Sequence, residues 1–124
     1  MVTLVQSQLL GTLGKSITGY TLLNAEARAA ANPKTFHIPT LAERRDVFPG
    51  ELVKIGFELV GGPAGGPNAE RMWVIVGRRE EKAGVISYAG TLDNDPAVFP
   101  KNVLKCGDRI EFSPAHILTI GAPE

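Results

Sequence analysis

Asp93, Asn94 and Asp95 gather two carboxylates and an amide within three residues, immediately before Pro96. Oxygen donors this close suit a divalent cation, or the acid and base of a hydrolytic step. A calcium loop would continue with ligands at alternate positions, a central glycine and a late glutamate. Here Ala97 and Phe99 follow instead. The better reading is a tight turn in which Asn and Asp side chains bond their own backbone. Neither His37 nor His116 has a second His or Cys at metal-ligand spacing. His116 follows a helix-start signal, Ser113-Pro114, and is expected to pair with Asp108 or Glu111 as a structural histidine. A general base must in addition reach a substrate proton. Asp93, Asp95 and His116 are nonetheless the set from which a small hydrolase or transferase would be assembled, and this is the alternative function.

Other motifs are weaker. Gly11-Thr12-Leu13-Gly14-Lys15-Ser16 has the end of a phosphate loop, but position 9, where the first glycine belongs, is Leu9. Too few backbone N–H groups would then wrap a phosphate, so a hairpin turn is expected. Cys106 is the single cysteine, which excludes an internal disulfide and a thiolate metal cage and favours a reducing compartment. With only Lys105 beside it, it reads as an inert thiol. No metal and no cofactor is expected. Trp73 reads as core, given the area an indole buries. The alternative puts it at the margin of the sheet, beside Glu70, Arg71 and the Gly/Pro loop 61–67. Tryptophan and arginine are over-represented at binding hot spots. The candidate binding surface is therefore Glu70, Arg71, Trp73 and the turn Asp93, Asn94, Asp95.

The elements that must position these groups follow from pattern. A length of 124 residues with 44% hydrophobic composition suits a single domain with one core. The 13 basic and 13 acidic side chains cancel, so the basic excess of a nucleic-acid binder is missing. No stretch reaches the ~20 apolar residues of a membrane span. The amino terminus lacks the basic leader and unbroken apolar run of a signal peptide, and a cytoplasmic location is expected. Residues 2–10 and 17–23 read as two short strands that can pair as a hairpin. Asn24 caps a helix over 25–31, stopped by Asn32-Pro33. Thr40-Leu41-Ala42-Glu43 is a capping box opening a second helix, expected to end near Phe48.

Beyond Pro49-Gly50 the period changes to two. Val53, Ile55, Phe57 and Leu59 alternate with polar or small residues, predicting a strand over 52–59 with one buried face. The run 72–77 is apolar on both faces, as in a central strand. A charged connection at 78–84, a strand at 85–92, and a strand at 109–112 follow. Ser113-Pro114 opens a single helical turn, and 118–120 is extended. Residues 47–53 and 104–110 share a Gly-acid turn feeding a strand. The expected fold is α+β: a strongly curved antiparallel sheet, a meander or partly closed barrel, preceded by two short helices.

The order and spacing of Phe36-His37-Ile38-Pro39, Pro49-Gly50-Glu51-Leu52-Val53-Lys54, Glu70-Arg71-Met72-Trp73-Val74, Gly90-Thr91-Leu92-Asp93-Asn94-Asp95-Pro96 and Cys106-Gly107-Asp108-Arg109-Ile110-Glu111-Phe112-Ser113-Pro114-Ala115-His116-Ile117 resemble the YegJ-like family of bacterial proteins of unknown function. The resemblance covers about residues 25–120 and leaves 1–24 outside it. It implies a small α+β fold and brings no reaction or cofactor. With no catalytic constellation legible, the expected function is a non-enzymatic binding domain for a protein partner, such as an accessory or immunity-type factor.

Overall fold

A computed structural model describes residues 19–61 and 68–121. The strand expected at 2–10, the motif at 11–16, the start of the strand at 17–23 and most of the Gly/Pro loop lie outside the described residues. The described chain runs β1 (Gly19–Leu22), α1 (Ala25–Ala31), α2 (Leu41–Arg45), β2 (Leu52–Val60), β3 (Ala69–Lys82), β4 (Val85–Leu92), β5 (Arg109–Phe112), a 3₁₀ turn (Pro114–His116) and β6 (Ile117–Gly121).

Both helices start where their caps require. The Asn24 side chain accepts the Ala27 N–H at 2.9 Å. Thr40 and Glu43 form the reciprocal box: Thr40 Oγ1 accepts the Glu43 N–H at 3.2 Å and Glu43 Oε1 accepts the Thr40 N–H at 2.8 Å. The second helix is shorter than expected, ending at Arg45 rather than near Phe48. The cause is Val47, which must enter the core, where it is 1% exposed. Its N–H is held by the Tyr88 hydroxyl at 3.2 Å, which takes the chain out of the helix.

The strands form one antiparallel sheet in the order β1-β2-β3-β4-β5, curled into a half-barrel, with β6 joining β2. β1 and β6 share one edge of β2: β1 pairs residues 57–60 and β6 pairs residues 52–55. Val53, Ile55 and Phe57 of β2, Met72, Val74 and Val76 of β3, and Ile110 and Phe112 of β5 fill the inside of the curl. Tyr20 and Phe99 meet Phe57 edge-on, with centroids 5.5 and 6.5 Å away. Lys54 and Glu58 alternate to the outside, as the period of two demands.

Two expectations are corrected here. β3 is not buried on both faces, since Ile75 is 37% exposed and Trp73 half-buried on its outer side. β3 also does not stop at Gly77. It continues through the charged run to Lys82, so the connection to β4 is the two-residue turn Ala83-Gly84.

Candidate functional site

Alternation along β3 sends Met72, Val74 and Val76 inward, so Arg71, Trp73 and Ile75 face out. Trp73 thus stands on the outer face of the sheet rather than in its core, while most of the Gly/Pro loop of the margin reading lies outside the described residues. Register places Lys54 of β2 opposite Trp73, and the Lys54 ammonium lies 4.7 Å from the indole centroid. On the far side of β2 the ring reaches β6: a Cβ added to Gly121 would meet it at 3.0 Å. The indole thus spans β2 on the outside of the sheet, with Ile75 and Leu52 along its flank.

The Asp93–Asp95 turn is tied to the same residue. The Trp73 N–H donates to Asn94 Oδ1 at 2.5 Å, and the Trp73 carbonyl accepts the Asp93 N–H at 2.9 Å. Asn94 is therefore scaffold. So is Glu70, whose carboxylate accepts the Ala97 N–H at 2.9–3.0 Å and the Val98 N–H at 2.9 Å. Of the six residues expected on a binding surface, Arg71, Trp73, Asp93 and Asp95 keep their side chains available for contact. Glu70 and Asn94 hold the turn in place beneath them. Asp93 and Asp95 are exposed.

Arg71 does not pair with Asp93 or Asp95 across the strands. Its guanidinium carbon sits 5.6 Å from the Phe36 centroid, and Arg28 of α1 approaches the same ring at 5.8 Å. Sequence reasoning missed Arg28 and Phe36. The segment after Pro33 carries no periodicity, and only the fold brings it over the outer face of β2 and β3.

His116 is also placed differently from expectation. Its partners are neither Asp108 nor Glu111, which bond Lys105 at 2.7 Å and Arg109 at 3.1 Å. Instead the Ser113 N–H donates to His116 Nδ1 at 3.0 Å, closing the 3₁₀ turn. Burial holds the imidazole pKa below the ordinary value, with the Glu26 carboxylate pulling the other way. His116 stands just before Ile117, which pairs with Ile55 of β2, while Asp93 continues β4 beside Trp73. β2 and β3 lie between them, a separation of roughly 14 Å at the usual inter-strand spacing. The structure does not bring Asp93, Asp95 and His116 together. Cys106 and His37 are exposed. Among the described residues no three His, Cys, Asp or Glu side chains gather as a metal site, and no helix is long and apolar enough to cross a membrane.

No family model, curated protein or solved structure matches this chain.

Proposed function

We propose that this chain is a non-enzymatic binding domain for a protein partner, working in the cytoplasm as an accessory or immunity-type factor through the outer face around Trp73. The carrying observation is the position of the only tryptophan: outside the core, half-buried, flanked by Lys54, Ile75, Arg71 and Asp93. An amphipathic ring on a rigid strand presents large contact area at little entropic cost, and Trp and Arg are the residues enriched at hot spots. The hydrogen bonds from Asn94 and Glu70 hold the neighbouring turn in register, which limits the ordering cost of association. The balanced charge of the chain argues against nucleic acid as the partner.

The experiment is affinity capture from the native host by wild type, by Trp73→Ala and by Arg71→Ala/Asp95→Ala, with circular dichroism as a check of fold. The reading requires one protein captured by wild type and lost by both variants while the fold persists. Capture undiminished by both places the contact surface elsewhere and sinks the proposal.

A further inference from the structure

β5 forms one margin of the sheet: it pairs with β4, and among the described residues no strand pairs with its other side. It is also the marginal strand whose flanks on both ends are described. Register tells which backbone groups face outward there. The Leu92 N–H donates to the Asp108 carbonyl at 2.9 Å, so Leu92 and Asp108 are a bonded pair. Bonded and non-bonded pairs alternate along an antiparallel ladder. Gly90 with Ile110 and Tyr88 with Phe112 are therefore bonded pairs, whereas Thr91 with Arg109 and Ala89 with Glu111 are not. The far side of β4 agrees: the Asp93 N–H donates to the Trp73 carbonyl at 2.9 Å, which turns the backbone groups of Thr91 toward β3. The N–H and C=O groups of Arg109 and Glu111 thus point away from β4. Among the described residues no backbone partner meets them.

The same two residues carry the charge of this edge, with opposite signs. Their side chains are 64% and 73% exposed and bond each other along the strand at 3.1 Å. Edges guarded against other chains bear a proline, an inward-pointing charge or lysines along their length. β5 has none of these: its inward residues are Ile110 and Phe112, and Pro114 comes only after the strand. The chain as a whole has 13 basic and 13 acidic side chains, so no net charge holds two copies apart.

A second copy laid antiparallel, with the two-fold axis at Ile110, sets Arg109 opposite Glu111 of the partner copy and Glu111 opposite its Arg109. Both become bonded pairs, so the open N–H and C=O groups of the two edges satisfy one another. Opposite charges then stand directly across the strands, the favourable cross-strand arrangement. Sliding the register one way brings Arg109 against Arg109, and sliding it the other way brings Glu111 against Glu111, so charge selects the register centred on Ile110. We infer that the free edge of β5 is a self-association surface, and that its partner is a second copy of this chain, joined into one continuous antiparallel sheet. So short a contact belongs to the weak, transient class of interfaces. The inference goes beyond the Trp73 face and does not rest on it.

The test is sedimentation equilibrium and amide hydrogen exchange of the full chain, dilute and at about 1 mM, a concentration suited to weak association. Wild type should move from monomer toward dimer. The Arg109 and Glu111 amides should slow in proportion to the fraction dimerised, while the Ile110 amide, already bonded to β4, should not respond. Arg109→Glu and Glu111→Arg each set like charges across the two-fold axis and should remain monomeric, with circular dichroism confirming the fold. An equimolar mixture of the two variants restores opposite charges at both positions and should recover the dimer as a mixed pair. Wild type that stays monomeric at about 1 mM would overturn the inference. So would a dimer that survives either charge reversal, or a mixture that fails to recover it. Capture through Trp73 uses variants that leave this edge untouched, so failure of one experiment is read separately from failure of the other.

Discussion

Arg44 shows how one side chain ties three segments together. Its Nε donates to the Pro39 carbonyl at 2.8 Å, and its Nη1 donates to the Pro114 carbonyl at 3.0 Å and to Glu26 at 2.6 Å. The two ends of the ion pair are unequal: the Arg44 side chain is 7% exposed and that of Glu26 43%. Arg44→Ala leaves buried carbonyls without donors and should cost about 2–3 kcal/mol. Glu26→Gln removes only a half-solvated charge and should cost under about 1 kcal/mol. Urea denaturation of both variants checks this order, and equal losses would mean that the carbonyls find other donors. His116 supplies a pH dependence with a definite sign. Its folded pKa is lowered by burial, and protonation would also remove the Nδ1 acceptor from the Ser113 N–H. The unfolded chain, with a histidine pKa of about 6.5, then binds the proton more readily than the native state. Stability is complete above that value and declines as pH falls through the window down to the folded pKa. The carboxyls of Glu43 and Asp108, held low by hydrogen bonds from Thr40 and Lys105, titrate at more acid pH. His116→Asn keeps an acceptor for Ser113 and removes the titration. Denaturation midpoints should decline on mild acidification in wild type and stay level in this variant.

At the scale of elements, the likeness between residues 47–53 and 104–110 is a single turn used twice. Gly50 and Gly107 both adopt φ +96°. In each case the acid that follows folds back, so that Glu51 accepts the Phe48 N–H at 2.7 Å and Asp108 the Lys105 N–H at 3.0 Å. The glycine N–H groups bond the neighbouring strand in the same way, to Val76 and Leu92 carbonyls at 2.8 Å. Such turns are legible in sequence because glycine at that φ and a back-bonding acid are local requirements. The end of β3 was not legible. Beyond Val76 a register shift at Gly77 puts Arg78, Glu80 and Lys82 on the outer side, and the inner side carries Arg79 and Glu81 beside Tyr88 and Ile86 of β4. There Arg79 donates to the Arg45 carbonyl at 2.9 Å, so polar residues stand on both faces and the alternation disappears. The outward turn of Trp73 was hidden for the opposite reason: Trp73 and Ile75 are apolar on the solvent side. The hairpin that closes β3 and β4 carries a conformational cost at Ala83, which sits at φ 52° ahead of Gly84 at φ 81°. A two-residue hairpin with both positions left-handed favours Asn-Gly. Ala83→Asn should therefore raise stability by about 0.5–1 kcal/mol, read as a higher urea midpoint with unchanged slope. A lowered midpoint would contradict the turn assignment.

Taken whole, the molecule is a curled sheet with a small helical layer held at one end, and what joins the two is largely polar. α1, α2 and the 3₁₀ turn pack on one another around Arg44, and contribute few of the large buried side chains. Their link to the barrel interior is Tyr88 of β4. Its ring stacks on Phe112 with centroids 5.2 Å apart. Its hydroxyl donates to the Arg44 carbonyl at 2.7 Å and accepts the Val47 N–H at 3.2 Å. One phenol oxygen thus satisfies both backbone groups at the end of α2, where the chain leaves the helix to bury Val47. This closure was invisible in the sequence, since it joins residues more than forty positions apart. Tyr88→Phe preserves the stacked ring and deletes only that oxygen, stranding a buried N–H and a buried C=O. The expected loss is about 1–3 kcal/mol, large beside the total stability of a domain of this size. The location of the effect separates this account from general weakening of the core. Hydrogen exchange should accelerate most at Val47 and in α2, and least at Ile55 and Val74 in the centre of the sheet. Uniform acceleration through the sheet would show that the helical layer and the barrel unfold as one unit, and that the Tyr88 hydroxyl does not govern their docking.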